Sequence, residues 1–180
     1  MTPTTGTNNI LTEIDQARSA MLELIVPLDE NKINTVPYKD SWTAGQLFRH
    51  VSKSVDGMAK AMQMEATAAE RDPGERIDDL KKNFLDFSKK MKSPDFIVPA
   101  PGPYQKETTI DELEKAFEQF KQSTDHANLS GLLEKLPLGP ITKLELLHFV
   151  LFHTQRHLYQ LNKICEALKN SPPSAVDSRQ

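Results

Sequence analysis

The sequence predicts an all-α fold, most simply an antiparallel four-helix bundle with an accessory helix. Three observations support this prediction. Five segments repeat apolar residues at spacings that alternate between three and four, which is the period of one helix face. No segment shows the alternation of apolar and polar residues that indicates a strand. Only 7 of the 180 residues are glycine, so long stretches of the chain lack a residue that weakens helices.

The first predicted helix covers residues 8–29. Its apolar stripe consists of Ile10, Ile14, Ala17, Met21, Leu24 and Leu28. The second predicted helix follows Trp42, where Thr43 and Gln46 have the spacing of a capping box that satisfies free backbone groups at a helix start. Its stripe consists of Leu47, Val51, Val55, Met58 and Met62.

The accessory helix is predicted after Asp72 and Pro73, which suit the cap and the first turn of a helix. Its stripe consists of Ile77, Leu80, Phe84, Phe87 and Met91. A non-helical connection is then predicted over residues 92–108, because prolines interrupt it repeatedly. A connection of this length can carry the chain from one end of a bundle to the other, and it can also cover a pocket.

The last two helices are predicted after capping boxes formed by Thr109 with Glu112 and by Thr142 with Glu145. The first of these helices carries Ile110, Leu113, Phe117 and Phe120. The final helix carries the longest stripe, made of Leu144, Leu147, Leu151, Thr154, Leu158, Leu161, Cys165 and Leu168. Further apolar residues lie on its other sides, so we expect it to be the central helix, buried on more than one face.

Length and composition fit one domain over residues 1–180, with an ordered core over about 8–169 and a polar tail over 170–180. A net charge of −3 does not favour nucleic acid or an anionic membrane as a partner. No apolar run is long enough to span a bilayer, and no secretory signal is visible. The single cysteine, Cys165, excludes an intramolecular disulfide and fits a reducing cytoplasm, where we expect the protein.

Three histidines are candidate metal ligands. His153 and His157 lie four residues apart in the final helix, and side chains at this spacing can converge on one metal ion. His50 flanks the stripe of the second helix, so it can face the other two across the bundle. Neutral imidazole suits zinc, nickel, iron or copper. Three protein ligands would leave positions open for water or substrate, which is the pattern of a catalytic site.

The alternative is that these histidines are buried and simply hydrogen-bonded, because a His-x-x-x-His pair also arises by chance. His148 lies on a different side of the final helix, and His126 lies near a helix end beside Asp125. Neither is therefore a good ligand candidate. Arg156 and Tyr159 are expected to face solvent or a partner subunit.

In these motifs the sequence resembles the DinB-like family, also called DinB/YfiT-like metalloenzymes. The resemblance is carried by residues 41–51, 96–103 and 136–161, and it is weakest over residues 62–92. In the family, a tryptophan and a small polar residue open a helix whose histidine follows about two turns later. A late helix carries His-x-x-x-His, with a glutamine three residues further on. The matching positions here are Trp42, Thr43, His50, His153, His157 and Gln160.

The resemblance implies an up-down-down-up bundle, frequent homodimers and a divalent metal ion (Zn, Ni or Fe) held by His50, His153 and His157. Family members with an assigned reaction include thiol-dependent S-transferases and isomerases. We therefore expect a metal-dependent enzyme in which the metal activates a thiol or water, with a small molecule as substrate and a low-molecular-weight thiol as partner. The alternatives are a metal-dependent hydrolase and a non-enzymatic helical dimer that binds metal or a ligand. Leu158 and Tyr159 replace the arginine and glycine of many members, so the substrate is not predicted.

Overall fold

The computed structural model describes residues 5–170, which form a mostly helical bundle. The helices of this part of the chain are α1 (Thr5–Ile25), α2 (Glu30–Ile33), α3 (Ala44–Gln63), α4 (Ile77–Phe84), α5 (Lys106–Thr124) and α6 (Lys143–Asn170). Its strands are β1 (Thr67–Ala68), β2 (Gly131–Leu133) and β3 (Ile141–Thr142), and a 3-10 turn covers Asp95–Ile97. Helices α1, α3, α5 and α6 are the four main helices, and α4 is the accessory helix. The predicted polar tail lies, from residue 171 onward, outside the described residues.

Helices α3 and α5 are neighbours that run in the same direction. In the early part of both helices, Nη1 of Arg49 lies 2.6 Å from Oε2 of Glu112. Near their other ends, Gln63 and Ser123 line the same cavity. The chain therefore travels back along the bundle between these two helices, as the long proline-rich connection predicts.

Helix α6 runs opposite to α3 and parallel to α1. At the start of α6, Nζ of Lys143 donates a hydrogen bond at 2.8 Å to the carbonyl oxygen of Met64, just beyond the end of α3. Late in both α6 and α1, Sγ of Cys165 lies 3.7 Å from the carbonyl oxygen of Leu24. These directions give an up-down-down-up bundle, so the predicted fold is confirmed.

Helix α6 is the central helix, as predicted. It packs against α1, α3 and α4, and buried residues cover several of its faces. Leu147 and Leu161 of the predicted stripe are buried, and so are Phe149 and Phe152 on other sides. Among residues 5–170, no helix is both long and apolar enough to cross a membrane.

The predicted first helix, residues 8–29, is divided in two. Helix α1 ends at Ile25 and helix α2 begins at Glu30. Pro27 lies between them, and it has no amide hydrogen with which to continue a helix. Leu28 is nevertheless buried, so the apolar stripe was predicted correctly although the helix is not continuous.

The accessory helix α4 is shorter than predicted at both ends. Oδ1 of Asp72 accepts a hydrogen bond at 2.7 Å from the amide two residues later, so Asp72 stabilises a turn and does not cap the helix. The helix begins at Ile77. Phe87 and Met91 lie beyond its end and are 40% and 47% exposed, so they do not continue the buried stripe.

A three-stranded antiparallel sheet, in the order β1–β2–β3, is a feature that the sequence did not predict. Leu132 pairs with Thr67 on one side and with Thr142 on the other. Each strand has two or three residues, which is too short for a visible alternation of apolar and polar residues. The sheet ties two loops to the start of α6, because β3 leads directly into that helix.

The capping boxes of α3 and α6 are present as predicted. At the start of α3, the amides of Gln46 and Thr43 each donate to the other residue's side chain, at 3.1 and 3.0 Å. At the start of α6, the amides of Glu145 and Thr142 do the same, at 3.1 and 2.9 Å. These boxes fix the first turns of the two helices that carry the candidate metal ligands.

The capping box predicted for α5 does not form. The helix already begins at Lys106, so Thr109 lies inside it and its Oγ1 donates to the carbonyl oxygen of Gln105 at 2.7 Å. The amide of Lys106 donates to Oε1 of Glu30 at 3.0 Å. This distant carboxylate takes the place of a local cap, and no spacing of neighbouring residues could have revealed it.

Candidate metal centre

The three predicted histidines meet in the interior of the bundle. His50 lies in the second turn of α3, and His153 and His157 lie near the middle of α6. Because the two helices run in opposite directions, the start of α3 lies beside this part of α6. Each of the three side chains offers a ring nitrogen, and these nitrogens all lie within 4.8 Å of one another. We call these three residues the histidine cluster.

The distances within the histidine cluster fit a single metal ion. Nε2 of His157 lies 3.1 Å from Nε2 of His50 and 3.1 Å from Nε2 of His153. Two nitrogens that bind one ion at about 2.0–2.1 Å can be at most about 4.2 Å apart. Both separations from His157 satisfy this limit, and the third pair, His50 and His153, lies within 4.8 Å, so a small shift of one ring lets the three side chains hold one ion together.

Two hydrogen bonds fix which nitrogen carries the proton in two of the rings. Nδ1 of His50 lies 3.1 Å from the carbonyl oxygen of Ile97, and Nδ1 of His157 lies 3.0 Å from Oε1 of Gln160. A carbonyl oxygen only accepts, so each Nδ1 donates and each neutral ring keeps a lone pair on Nε2. These lone pairs face each other at 3.1 Å, where they repel unless a proton or a cation lies between them.

His153 differs from the other two histidines in its surroundings. Its Nδ1 is buried and, among the described residues, has no hydrogen-bond partner. The rings of Phe149 and Phe84 lie beside it, with centroids 5.3 and 6.2 Å from the imidazole. No acceptor therefore fixes the proton of His153 on Nδ1 as one does in His50 and His157.

Burial keeps the histidine cluster uncharged at neutral pH. Burial lowers the pKa of His157 to about 3, with repulsion from His50 adding to the effect. Burial also holds the pKa of His153 well below 6.5, and the other two histidines lower it further. The pKa of His50 is lowered by burial too, although its bond to Ile97 opposes the change. Neutral imidazole is the form that binds metals.

Aromatic side chains form the walls of the histidine cluster. The ring of Trp42 lies 4.9 Å from that of His50 between centroids. Phe84 and Phe149 pack edge to face at 5.1 Å and adjoin His153. In the described part of the chain, no carboxylate joins the group of candidate ligand atoms. These walls of the cluster are therefore apolar, and the candidate ligand atoms in the described residues are all imidazole nitrogens.

The other residues that were named from the sequence are not among the candidate metal ligands. Nδ1 of His148 donates at 3.0 Å to the carbonyl oxygen of Leu144, and His126 is exposed, so neither joins the cluster. Trp42 packs against His50, and Gln160 is a hydrogen-bond partner of His157. Arg156, which was expected to face solvent or a partner subunit, is half-buried, and its guanidinium donates to backbone carbonyls in the segment that follows α4.

The sequence did not identify the residues that complete the surroundings of the cluster. Phe84 and Phe149 were assigned to apolar faces, and no pattern indicated that they adjoin a histidine. The carbonyl of Ile97 cannot be found from its side chain, because any residue type offers the same acceptor. The proline-rich connection around Ile97 was the one indication, since it was expected to be able to cover a pocket.

The chain is similar to known proteins in both sequence and fold. The sequence profile of the DinB superfamily matches residues 13–161. The structure is similar to one described as "Crystal structure of TT2238, a four-helix bundle protein", with a TM-score of 0.56 and 16% identity over 87% of this chain and 98% of that one. At this identity the likeness concerns the fold alone. No protein of curated function matches the chain. Because the family profile covers well over half of the sequence, this chain belongs to the DinB superfamily.

Proposed function

We propose that His50, His153 and His157 bind one divalent metal ion, either zinc, nickel or iron. The observation that supports this best is the pair of Nε2 lone pairs that face each other at 3.1 Å in His50 and His157. A proton between them is disfavoured, because burial lowers the pKa of both rings. A metal cation relieves the same repulsion and uses the neutral form of every ring.

The residues around the cluster would orient the ligands and keep water out. Ile97 and Gln160 hold the Nδ1 protons of two ligands, which leaves Nε2 free to bind. Trp42, Phe84 and Phe149 provide an apolar surrounding. A divalent ion in such a site lowers the pKa of a bound water or thiol, which supplies a nucleophile near neutral pH.

We further propose that the protein is a metal-dependent enzyme, acting in the cytoplasm on a small electrophilic molecule. A thiol-dependent S-transferase is the preferred reaction, because it needs activation of a nucleophile but no protein acid or base. The absence of a carboxylate from the described histidine cluster fits this chemistry better than it fits a hydrolase. Family membership also supports an enzyme, although many relatives have no assigned reaction.

A non-enzymatic role in binding metal is the second candidate. The observation that favours it is the burial of the cluster: His50, His153 and His157 are 2%, 5% and 8% exposed. A substrate cannot reach these rings without movement of the residues above them. A closed site of this kind also suits metal storage or sensing. Dimerisation stays a prediction of the family resemblance and can be measured by light scattering.

Metal content of the untagged protein tests the proposed site. We expect one equivalent of metal per chain after exposure to zinc, nickel or iron and removal of excess. His153→Ala and His50→Ala should lose this stoichiometric binding. His148→Ala is the matched control, because His148 lies on the same helix outside the cluster, and it should bind like the wild type. Full metal content in His153→Ala would contradict the three-histidine site.

Catalysis is tested separately with the metal-loaded protein. The rate of reaction between a low-molecular-weight thiol and a haloaromatic compound is compared with the rate in the presence of the free metal. Acceleration that disappears in His153→Ala supports the transferase. Stoichiometric metal without acceleration for any of several thiols supports the binding role instead.

A further inference from the structure

One stretch of chain outside the four main helices contacts the histidine cluster. It covers residues 84–98, from the last residue of α4 to the residue after the 3-10 turn, and we call it the cover segment. The cover segment contacts the histidine cluster near each end of the segment. The ring of Phe84 lies 6.2 Å from that of His153, and the carbonyl oxygen of Ile97 accepts a hydrogen bond from His50 at 3.1 Å.

The cover segment has little structure of its own to hold it in place. Apart from the 3-10 turn over Asp95–Ile97, it contains no helix or strand after α4 ends. Most of its residues are exposed. Segments with few buried contacts and little regular hydrogen bonding open most easily. The position of the cover segment therefore depends on side chains that reach it from the bundle.

Arg156 makes the most extensive of these attachments. Its Nη1 donates to the carbonyl oxygens of Phe84 and Asp86, at 3.0 and 3.1 Å, and its Nη2 donates to the carbonyl oxygen of Lys89. The carbonyl of Phe84 is the last in α4, where helix carbonyls have no partner within the helix, and that of Asp86 lies two residues beyond it. A planar guanidinium with several donors suits such a group of acceptors.

Two further features make Arg156 decisive for the closure of the cluster. It lies on α6 between His153 and His157, so the same rigid helix holds both the ligands and the attachment point. It fixes the backbone of Phe84, the residue whose ring adjoins His153. A second, weaker attachment is the stacking of Phe87 on Tyr159, with ring centroids 4.1 Å apart.

We propose that Arg156 is a positioning residue that holds the cover segment over the histidine cluster and so controls how readily solutes reach the three rings. Without its guanidinium, the carbonyls at the end of α4 turn to water and Phe84 leaves His153. The consequence for exchange of metal and substrate rests on the proposed function. The consequence for access to the histidines does not, because it can be measured without metal.

The test is the rate at which diethyl pyrocarbonate acylates each histidine in the metal-free protein, followed by mass spectrometry. Exposed His126 serves as the internal reference in every sample. In Arg156→Gln we expect the three cluster histidines to react about tenfold faster or more, since several charge-assisted hydrogen bonds are lost. Arg156→Lys should lie between this variant and the wild type.

The matched control is Arg18→Gln, which removes an arginine on α1 that pairs with Asp15 at 2.7 Å, away from the cover segment. It should react like the wild type. Wild-type rates in Arg156→Gln, with the protein shown to be folded by its thermal transition, would overturn the proposal. If Arg156→Gln does not fold, Arg156→Lys and Phe87→Leu replace it, and unchanged rates in both would overturn the proposal equally.

Release of zinc to excess chelator extends the test to the metal. We expect Arg156→Gln to hold the same amount of zinc at saturation as the wild type but to release it faster. A wild-type protein that takes up no metal would contradict the proposed function. The acylation rates alone would then show whether Arg156 controls access to the histidines. Equal release rates in a variant whose histidines do acylate faster would show that the cover segment does not control metal exchange.

Discussion

Nε2 of His50 and Nε2 of His157 lie 3.1 Å apart although 107 positions separate these residues in the sequence. Each ring donates its Nδ1 proton in the opposite direction, to Ile97 and to Gln160. The two lone pairs are therefore held toward each other by partners on the far side of each ring. This arrangement is unfavourable without a cation and favourable around one.

Replacement of Gln160 should weaken metal binding without abolishing it. In Gln160→Ala, Nδ1 of His157 loses its acceptor and the ring is free to change tautomer. We expect the affinity for zinc to fall by about 10–100-fold, as is usual for the partner of a ligating histidine. Competition with a chromophoric chelator measures this change. Asn162→Ala, which removes an exposed amide on the same helix, is the control and should bind like the wild type.

Stability of the metal-free protein should fall as the pH is lowered below about 6.5. The pKa of His157 is about 3 in the folded protein and close to 6.5 in the unfolded chain, so between these values the unfolded chain binds a proton that the folded chain does not. Protonation of His157 in the unfolded chain then lowers the free energy of unfolding by up to about 1.4 kcal/mol per pH unit. Above about pH 6.5 this loss is absent.

Urea denaturation with a chelator present, at several pH values between 5 and 7, measures this effect. His157→Leu should lose stability less steeply than the wild type over this range, because it lacks one of the buried rings. Asn162→Leu, which changes an exposed residue of the same helix and no titratable group, is the control and should keep the wild-type slope. Equal slopes in all three proteins would show that His157 is protonated as easily in the fold as outside it.

Glu145→Ala should destabilise the fold strongly. The Glu145 side chain is completely buried, and its two oxygens accept from both Nη atoms of Arg71, at 2.5 and 2.7 Å. They also accept from the amides of Arg76 and Thr142. Removal of the carboxylate leaves the two amides without a partner and leaves Arg71 only its bond to the carbonyl oxygen of Asp72. This loss should cost about 3–5 kcal/mol, measured by urea denaturation.

The control for this prediction is Asp56→Ala, which breaks an exposed ion pair with Lys60 on α3. We expect it to change the free energy of unfolding by less than about 1 kcal/mol, because solvent screens such pairs. A similarly small effect of Glu145→Ala would mean that its buried network is not needed for stability.

Gly57→Ala should stabilise the protein. Gly57 lies inside α3, and a Cβ atom added there would meet nothing within 4 Å. Alanine lowers the entropy of the unfolded chain, so we expect a gain of about 0.5–1 kcal/mol. Gly131→Ala is the contrasting variant, because its Cβ would lie 2.7 Å from that of Ala66 in the small sheet. Thermal unfolding should show a higher midpoint for the first variant and a lower one for the second.

The features that were predicted correctly depend on local order along the sequence. The stripe of α6 and the capping boxes at Thr43 and Thr142 each arise within a few neighbouring residues. His153 and His157 could be paired for the same reason, and His50 was added from its position beside a stripe and from the family pattern. The structure then brought all three together.

The features that were missed depend on contacts between distant parts of the chain. The cap of α5 comes from Glu30, and the end of α4 is held by Arg156, which is 72 positions away from Phe84. Phe87 continued the helical period of the sequence, yet the helix ends before it and its ring stacks on Tyr159. In each case a contact with a distant residue determines where the helix ends or where the side chain packs. The periodicity of the sequence carries no information about such contacts.

Because α3 and α5 are parallel, no tight turn can join them, and a long return path is compulsory in this topology. Part of that return path is the cover segment, which contacts the histidine cluster. A deletion between α3 and α5 would therefore have one of two effects. It would remove the cover segment from the histidine cluster, or it would displace α3 and α5 from each other.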